Sequence, residues 1–435
     1  MSGYYDTLKI KPDACPADCQ VCVDACAGRS SENNLGAVIK IVGDIKDKHS
    51  AATCYQCSKP ECLEACPSDA ITKSDEDGIV RIDMDECTGC EACVDACPYE
   101  MIVFNDDKQI ATKCDMCDGK AACAGACPHG VISVDSAAPV RKYMQEDLLS
   151  PGVAFCGGCM LELAIRFTLK VLGKDIVLFA SASCSAPVLI GIGHVSLEKT
   201  AFYGCLMTNI ASSAAGYARY YKKIGKEVTP VCFVGDGNTV DIGFQNLSGA
   251  AERGENILYI CYDNEGYMNT GYQKSSTTPL GAWTSTTEVG STGRGKPSQS
   301  KDVALMMAMH DTPYVATATL SNLEDYASKL IKAREAIKKG LAYIHLYTPC
   351  PTGWKLAPDS TVEMCRNVVE SNAFPLWEAE YGDIRFTYEP KEQKPLASFI
   401  KMARKFSHLT DEDIQALQEN VDHRYLRLQK LAGVC

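Results

Sequence analysis

The hydrophobic pattern of the chain changes near residue 151. Beyond it, apolar runs such as DIVLFASASCSAPVLIGIG, at residues 175–193, and VTPVCFVGDG, at residues 228–237, alternate with segments of helical periodicity. Short continuous apolar runs are typical of strands buried on both faces, and their alternation with helices is typical of a parallel sheet. The pattern therefore predicts an α/β domain in which a parallel sheet is flanked by helices.

One strand–helix–strand unit is predicted around the second of these runs. The run ending at Val234 predicts a buried strand, residues 240–253 predict a helix, and ILYICYD at residues 257–263 predicts a second strand. A right-handed crossover brings the carboxyl ends of two such strands side by side, which places Asp236 near Asn264. The residues predicted to form the inner side of the helix are Ile242, Leu247, Ala250 and Ala251.

These strand ends have the chemistry of a phosphate and metal site. Gly235 and Gly237 flank Asp236, and glycine allows a tight turn and a close approach of the backbone to a ligand. The helix that follows directs its N-terminus to the same place, where it favours an anion. Since magnesium prefers oxygen ligands and accompanies phosphates, we predict a magnesium and phosphate site here.

The first 127 residues contain sixteen cysteines in four sets of four, and three sets end in Cys-Pro. Loops of this spacing wrap three corners of an iron–sulfur cubane, while the cysteine before proline reaches a neighbouring cluster. Zinc also accepts four thiolates, but zinc ribbons join two separated CxxC knuckles. Four 4Fe-4S clusters, arranged in pairs, are therefore predicted. The sets are Cys15, Cys19, Cys22, Cys26; Cys54, Cys57, Cys62, Cys66; Cys87, Cys90, Cys93, Cys97; and Cys114, Cys117, Cys123, Cys127.

Charge and composition narrow the classes of function. The net charge of −12 and the pI of about 5.2 argue against a nucleic-acid partner, which requires a basic surface. Neither an apolar run of membrane-spanning length nor a signal-peptide pattern is found, so we expect no membrane partner and a cytoplasmic location. The 25 cysteines are an odd number, and metal–thiolate chemistry explains them better than disulfides do.

Residues 10–135 resemble the four-cluster ferredoxin subunits of the dimethyl-sulfoxide reductase and formate dehydrogenase type. The resemblance rests on KPEC in the second set, CPYEMI after the third and KCDMC at the start of the fourth. It implies that Cys66 and Cys97 are exchanged between one pair of clusters, and Cys26 and Cys127 between the other. A series of clusters of this kind conducts electrons and performs no bond chemistry itself.

The remainder of the chain, residues 150–435, resembles the thiamine-binding β chain of 2-oxoacid:ferredoxin oxidoreductases. The resemblance rests on CGGC at residues 156–159, on SCS, GDG and PCPTGW, and on the long segment AAERGENILYICYDNEGYMNTG. It implies a thiamine diphosphate-binding fold preceded by a ferredoxin-like domain with four clusters. The domains expected are a polyferredoxin at 1–140, a catalytic domain at 141–365 and a helical extension at 366–435, with a linker between Ile132 and Pro151.

The resemblance also implies roles for single residues of the second domain. Asp236, the Asn264 side chain and the Gly266 carbonyl would bind magnesium, and the metal would hold the diphosphate of the cofactor. Gly235 and Gly237 belong to the same cofactor loop. Asn269 would lie near the thiazolium as a catalytic residue. A fifth 4Fe-4S cluster beside the cofactor is implied, with Cys156, Cys159, Cys184 and Cys350 as ligands.

Several other residues carry weaker expectations. Family members commonly have glycine and then a polar residue after the second cysteine of CGGC; this chain has Met160 and a delayed Glu162, so a contact of Glu162 with the cofactor is left open. The seven histidines stand singly and are treated as structural, although His194 and His310 have apolar surroundings. The cysteines expected to be ordinary buried thiols are Cys205, Cys232, Cys261, Cys365 and Cys435.

The implied reaction is the oxidative decarboxylation of a 2-oxoacid to an acyl-coenzyme A and CO2. Thiamine diphosphate, held by magnesium, supplies the carbanion chemistry, and five 4Fe-4S clusters carry the electrons to a ferredoxin or to a flavoprotein NAD reductase. The implied partner chains are an α-type subunit, which supplies the glutamate that the pyrimidine ring of the cofactor needs, and a γ-type subunit. The 70 residues after Cys365 (435 − 365) are too few for that domain, so a partner is expected to provide it.

The substrate and the class of activity are open to alternatives. Four clusters fused to a β chain resemble the phenylglyoxylate dehydrogenases, but pyruvate, branched-chain oxoacids and indolepyruvate are also compatible with the motifs. The cysteine sets alone would fit the electron-transfer subunit of a molybdenum enzyme, against which the segment at 228–271 speaks. A non-redox thiamine decarboxylase that has acquired a ferredoxin is a further alternative, and fold alone does not decide between these.

Overall fold

The structure is a computed structural model that forms two compact units, residues 1–145 and 146–435, which are described separately. His194 and Cys435 lie outside the described residues, and the expectations for them stay predictions. The structure describes residues 5–10, 15–16, 19–29, 36–42, 48–57, 60–74, 78–118, 120–137, 147–150, 153–185, 200–291 and 293–434.

The first unit consists of short strands and helices between the cysteine loops. Its strands are β1 (Tyr5–Ile10), β2 (Cys15–Pro16), β3 (Lys40–Val42), β4 (Lys48–Ala52), β5 (Ile71–Lys73), β6 (Val80–Ile82), β7 (Val103–Asn105), β8 (Ile110–Thr112) and β9 (Ile132–Ala137). Its helices are α1 (Val21–Arg29), α2 (Glu61–Glu64), α3 (Ala92–Asp95) and α4 (Ala122–Ala126). All strand pairings are antiparallel: β1 with β9, β5 with β6, β7 with β8, and β2-β4-β3 in one small sheet.

The linker expected between Ile132 and Pro151 is wrong in its first part. Strand β9 pairs with β1 along its whole length, from Ile132 opposite Ile10 to Ala137 opposite Tyr5. The pairing joins segments more than 120 residues apart, and the backbone hydrogen bonds that make it carry no local signature in the sequence.

Two apolar clusters, each mixed with cysteines, form the interior of the first unit. One contains Val38, Ile39, Met116 and Ile132 among the cysteines of the first and fourth sets. The other contains Ile71, Val80 and Ile102 among the cysteines of the second and third sets. The sets are therefore buried in pairs.

An eight-stranded sheet forms the centre of the second unit. Its strands are β10 (Ile176–Ser181), β11 (Ala201–Cys205), β12 (Thr229–Gly235), β13 (Leu258–Asp263), β14 (Tyr314–Thr319), β15 (Ala342–Tyr347), β16 (Leu376–Glu380) and β17 (Asp383–Tyr388). Its helices are α5 (Met160–Leu172), α6 (Ile210–Lys223), α7 (Phe244–Glu252), α8 (Val303–Ala308), α9 (Leu323–Ala336), α10 (Pro351–Trp354), α11 (Thr361–Glu370), α12 (Ala397–Ile400) and α13 (Asp411–Leu431).

The strand order is β11-β10-β12-β13-β15-β14-β16-β17, and the first six strands are parallel. Every residue of β10, β13, β14 and β15 is buried, which explains why β10 and β13 are apolar runs rather than alternating patterns. The prediction of an α/β domain with a parallel sheet is confirmed.

Four neighbouring strands of this sheet place chemistry at one edge. Strands β10, β12, β13 and β15 are adjacent and parallel, so their carboxyl ends lie along the same side. Cys184 follows β10, Asp236 follows β12, Asn264 follows β13 and Cys350 follows β15. Ligands of open parallel sheets bind outside this edge, so the topology alone collects four of the predicted site residues.

The predicted helix at 240–253 begins differently in the structure. A π-helical turn, Gly237–Ile242, leads from β12 into α7. Leu247, Ala250 and Ala251 are buried as predicted, but Ile242 is 48% exposed, so its placement on the inner side was wrong. The π turn holds more residues per turn than an α-helix and rotates Ile242 away from the inner face; such turns are frequent at functional sites.

The segment from residue 366 onward was expected to be helical, but it also contains two strands. Strands β16 and β17 extend the main sheet in the antiparallel sense beyond β14, and the helical segments α12 and α13 follow them. Helix α13 begins at a capping box in which Thr410 and Asp413 satisfy each other's backbone amides. None of the helices in the described ranges has the combined length and apolar character of a membrane span.

Candidate active site and iron–sulfur centres

The loop after β12 requires its glycines because of close contacts. A Cβ on Gly237 would lie 2.5 Å from the Tyr267 ring, and one on Gly235 would lie 3.2 Å from the Tyr262 ring. Tyr267 also donates a hydrogen bond from its hydroxyl to the Gly237 carbonyl at 2.9 Å. The GDG sequence is thus needed to bring the backbone of this loop against the loop after β13.

Three oxygen atoms converge beside this loop. The side-chain amide of Asn264 places its oxygen 3.1 Å from Asp236 Oδ1 and 3.0 Å from the Gly266 carbonyl oxygen, with no donor between them. Rotation of the amide would instead allow its nitrogen to donate to both. In octahedral Mg²⁺ coordination with bonds of 2.0–2.1 Å, neighbouring ligand atoms are about 3 Å apart. The three residues therefore fit the predicted magnesium ligands as they are placed.

The second oxygen of Asp236 is held by hydroxyl groups. Ser275 and Thr277 both donate to Asp236 Oδ2, Thr277 at 2.9 Å, and the Thr277 hydroxyl also lies 2.8 Å from Asp263 Oδ1. Burial, and then repulsion from Asp263, raise the pKa of Asp236 well above its usual value. Two ionised carboxylates buried beside the same hydroxyl repel each other and destabilise the fold. A bound divalent metal would relieve this repulsion.

A cavity opens next to the converging oxygens. Asn238 lines this cavity. Its buried Oδ1 atom accepts no hydrogen bond from the described residues, whereas its Nδ2 donates to the Tyr259 hydroxyl at 3.3 Å. Asn269 lies on the wall and donates to the Ser183 carbonyl at 3.3 Å. The glycine loop forms one side of the cavity. Its lining residues are Ala182, Ser183, Cys184, Met207, Gly235, Asp236, Gly237, Asn238, Tyr262, Asn264, Gly266, Tyr267, Met268, Asn269 and Thr270.

The hydroxyls of Ser275 and Thr277 were not singled out from the sequence. Both lie in the segment QKSSTTP, whose composition is typical of an ordinary loop. Ser275 and Thr277 lie on either side of Ser276, which bonds to Asp241 instead. This spacing of two residues is consistent with two hydroxyls on the same side of the segment.

Replacing Thr277 by valine is expected to weaken magnesium binding about 10- to 100-fold, since partners that orient a metal ligand contribute that much. Valine keeps the shape but removes the hydroxyl that lies within hydrogen-bond distance of both Asp236 and Asp263. The measurement is the magnesium concentration needed for half-maximal cofactor retention. Thr286→Val, in a loop that does not line the cavity, is the control; equal magnesium dependence in both variants would contradict the prediction.

Four cysteines of the second unit, here the Cys156 group (Cys156, Cys159, Cys184 and Cys350), lie close together. Burial first, and then repulsion from Cys350 and Cys159, raise the pKa of the Cys184 thiol to about 12. Burial and then repulsion from Cys350 and Cys156 raise that of Cys159 to about 11. Thiolates that crowd one another in this way need positive charge between them, as an iron–sulfur cubane provides.

Cys184 also lines the cofactor cavity, and the charge of Asp236 contributes to its raised pKa. The Cys156 group and the glycine loop at residues 235–237 are therefore neighbours in this unit. The backbone amide of Gly353 donates to Cys350 Sγ at 3.2 Å, a hydrogen bond that stabilises a thiolate.

A buried lysine links the loops that carry the two predicted centres. Lys405 is fully buried, pairs with the Glu265 carboxylate and lies 3.4 Å above the centre of the Trp354 ring. Trp354 in turn donates from its indole to the Asn264 carbonyl at 2.9 Å. Glu265 stands between two predicted magnesium ligands, and Trp354 follows Cys350 by four residues. The loop after β13 and the segment after Cys350 are thus both fixed to Lys405.

The sixteen N-terminal cysteines form four groups whose members differ from those of the four sets in the sequence. No three His, Cys, Asp or Glu side chains in the described ranges converge as they would on a single ion; the cysteines surround small cavities instead. The Cys54 group lines one cavity, the Cys87 group a second and the Cys114 group a third. Their members are Cys54, Cys57, Cys62 and Cys97; Cys66, Cys87, Cys90 and Cys93; and Cys26, Cys114, Cys117 and Cys123.

The Cys15 group (Cys15, Cys19, Cys22 and Cys127) is recognised by its electrostatics. Burial first, and then repulsion from Cys19 and Cys127, raise the pKa of Cys15; burial first, and then repulsion from Cys15, raise the pKa of Cys22. In every group three cysteines come from one set and the fourth from another. This exchange of Cys66 with Cys97, and of Cys26 with Cys127, is the arrangement that the resemblance implies; the ligand roles themselves stay predictions.

The remaining candidates have structural surroundings. Glu162 pairs with Arg166 at 3.0 Å and is absent from the described lining of the cofactor cavity. Both ring nitrogens of His310 are bonded, one to the Ser248 hydroxyl and one to the Met306 carbonyl, each at 2.8 Å. The described cysteines expected to be ordinary thiols pack in or against the core; they are Cys205, Cys232, Cys261 and Cys365.

Two family models match the chain. Residues 46–138 match the 4Fe-4S dicluster domain, and residues 199–346 match the thiamine pyrophosphate enzyme, C-terminal TPP binding domain. The first match contains the second, third and fourth cysteine sets, and the second match contains the glycine loop.

Curated relatives resemble either the whole chain or its second unit. The chain is 39% identical over 430 residues to the NADH-dependent phenylglyoxylate dehydrogenase subunit beta of Aromatoleum evansii, which covers 97% of this chain and 96% of that protein. It is 44% identical over 282 residues to the pyruvate synthase subunit PorB of Methanothermobacter marburgensis, covering 65% of this chain and 97% of the relative. The ketoisovalerate oxidoreductase subunit VorB of Pyrococcus abyssi is 40% identical over 296 residues, or 66% and 94% of the two chains.

The similarity to the phenylglyoxylate dehydrogenase subunit extends over both units of the chain and is not confined to one of them. The chain therefore belongs to the 2-oxoacid oxidoreductase family, as a thiamine diphosphate-dependent β-type subunit with an N-terminal 4Fe-4S unit.

Proposed function

We propose that this chain is the catalytic subunit of an enzyme that oxidatively decarboxylates phenylglyoxylate to an acyl-coenzyme A and CO2. The observation that carries the proposal is the convergence of three oxygens, from Asp236, Asn264 and Gly266, beside a cavity whose wall includes Cys184. A metal-held cofactor and a redox centre would share that wall. A purely electron-transferring subunit has no use for the first of these.

The residues of the chain have separate tasks in this proposal. Thiamine diphosphate, when bound, supplies the carbanion chemistry that releases CO2 from a 2-oxoacid. Asp236, Asn264 and the Gly266 carbonyl hold magnesium, and the glycines at 235 and 237 let the backbone approach the diphosphate. Asn269 lies on the wall of the same cavity and is the proposed catalytic residue near the reacting ring.

The cysteines provide the path for the electrons. The Cys156 group is proposed to hold a 4Fe-4S cluster at the cofactor cavity, because Cys184 belongs to both. The four N-terminal groups are proposed to hold four more. Three of them already surround cavities with four sulfurs each, which supports cubanes at those places.

Phenylglyoxylate is the proposed substrate because the similarity to its dehydrogenase subunit extends over both units. That relative is described as NADH-dependent, which supports electron transfer to NAD through a flavoprotein partner. Pyruvate is the second candidate, favoured by the 44% identity of the second unit to a pyruvate synthase subunit. Ferredoxin would then be the acceptor.

The proposed enzyme has several chains and works in the cytoplasm, where thiolates stay reduced. The relatives are named as subunits, which supports partner chains. An α-type partner is proposed to supply the glutamate for the pyrimidine ring, since the carboxylate on the described cavity wall, Asp236, is engaged with the metal site. A γ-type subunit and coenzyme A complete the proposal.

The test is an anaerobic assay of the purified complex against phenylglyoxylate, pyruvate, branched-chain oxoacids and indolepyruvate, with and without coenzyme A. We expect reduction of an acceptor with phenylglyoxylate, dependent on coenzyme A, and no turnover by this chain alone. Turnover without any acceptor would support a non-redox decarboxylase and contradict the proposal. A complex that lacks thiamine diphosphate would indicate an electron-transfer subunit instead.

A further inference from the structure

Lys113 is a buried cation between two of the cysteine groups. Its side chain is 5% exposed, and no carboxylate among the described residues pairs with it. An ammonium group buried without a negative partner is strongly unfavourable. The negative charge of an adjacent iron–sulfur cluster would offset this cost.

The ammonium group has three oxygen acceptors. It donates to the Cys114 carbonyl at 2.9 Å, to Gln56 Oε1 at 3.3 Å and to the Val80 carbonyl. Gln56 completes the network, because its amide nitrogen Nε2 donates to the Cys114 carbonyl at 2.7 Å while its Oε1 accepts from Val80 N at 2.9 Å. Neutral carbonyls orient the charge but do not balance it.

The network spans the two groups. Gln56 lies between Cys54 and Cys57 in the sequence, and Lys113 lines the cavity that the Cys54 group surrounds. On the other side, Lys113 directly precedes Cys114 and binds its carbonyl. Its positive charge also acts against the burial-driven rise in the pKa of Cys57 and Cys62.

We infer that Lys113 is a positioning residue that sets the reduction potentials of the clusters in the Cys54 and Cys114 groups, the first more strongly. A cubane with four thiolates is negatively charged in both redox states, and reduction adds one further negative charge. A fixed cation at the cavity wall stabilises the reduced form most, and so raises the potential; net charge and hydrogen bonding are known determinants of these potentials. The inference rests on the proposed iron–sulfur content but not on the substrate.

Other lysines near cysteines lack these features. Lys73 donates to the Cys57 carbonyl at 3.0 Å but is only half-buried, so water screens its charge. Lys120 follows Cys117 by three residues and is exposed. Lys120 offers a matched control. Its replacement by methionine removes the same charge close to a predicted ligand, but at a side chain that is exposed to water.

The test uses the complex with full-length chains, purified anaerobically, and redox titration of the clusters followed by electron paramagnetic resonance. Lys113→Met is expected to lower two midpoint potentials, with the larger change in the signal that Cys62→Ser abolishes. Lys113→Arg, which keeps the charge, should lie closer to wild type, and Lys120→Met should match wild type. Iron and acid-labile sulfide are measured in every sample.

Unchanged potentials in Lys113→Met with full iron and sulfide content would overturn the inference, as would equal shifts in Lys113→Met and Lys113→Arg. If Lys113→Met fails to assemble its clusters, Lys113→Gln is compared with Lys113→Arg under the same two criteria. Absence of iron and sulfide from the wild-type chain would instead overturn the proposed cluster content, so the two failures are distinguishable.

Discussion

Asp236→Asn is expected to abolish cofactor retention and to lower 2-oxoacid oxidation by at least about 100-fold, because a lost metal ligand costs more than the 10- to 100-fold of a supporting partner. The change removes the one charged ligand of the converging oxygens while keeping shape and size. The amide would also present a donor to the Ser275 and Thr277 hydroxyls, which now donate to the carboxylate. Bound thiamine diphosphate and magnesium, measured after gel filtration, check the result.

Glu252→Gln is the matched control for Asp236→Asn. It removes one negative charge at the exposed end of α7, the helix that leads away from the glycine loop. We expect wild-type cofactor content and turnover. Retention of both cofactors by Asp236→Asn would show that magnesium is held elsewhere, and the proposed site would be wrong.

Cys184→Ser is expected to stop 2-oxoacid oxidation while the chain keeps its thiamine diphosphate. Serine is a poor ligand for an iron–sulfur cluster, and Cys184 is the member of the Cys156 group that also lines the cofactor cavity. If five clusters are present, loss of one removes about one fifth of the iron, since each holds four irons. Iron content, bound cofactor and acceptor reduction are the three measurements.

The control for this variant is Cys365→Ala, a buried cysteine of α11 outside all five groups. It should retain full iron content and turnover with, at most, the modest loss of stability of a small core truncation. Full oxidation by Cys184→Ser with unchanged iron would favour the non-redox decarboxylase, in which these cysteines serve only for packing.

The sequence predicted the parts of the site that depend on local patterns and on sheet topology. GDG after an apolar run, with Asn264 at the end of the next run, placed both residues correctly at adjacent carboxyl edges, because β12 and β13 are neighbours. The cysteine spacings likewise predicted an iron–sulfur unit, which the family match confirms.

Side-chain convergence between distant loops could not be predicted in the same way. Thr277 reaches Asp236, and Lys405 reaches Glu265, from segments without periodicity, so the composition of these segments resembles that of any loop or surface. Lys113 is a charged residue within KCDMC, a type almost never buried, and only the fold shows its burial. The π turn shifted Ile242 because helical periodicity assumes an unbroken α-helix.

The placement of the site on four strand ends has a consequence for how the protein matures. Its contributors span residues 184 to 350, so no partly folded intermediate that lacks β10 or β15 can present the complete set. Magnesium and thiamine diphosphate should therefore bind only the native state, and ligands of this kind add about 2.7 kcal/mol to the unfolding free energy at 100 times their dissociation constant. Supply of the cofactor would then affect the stability of the chain as well as its activity.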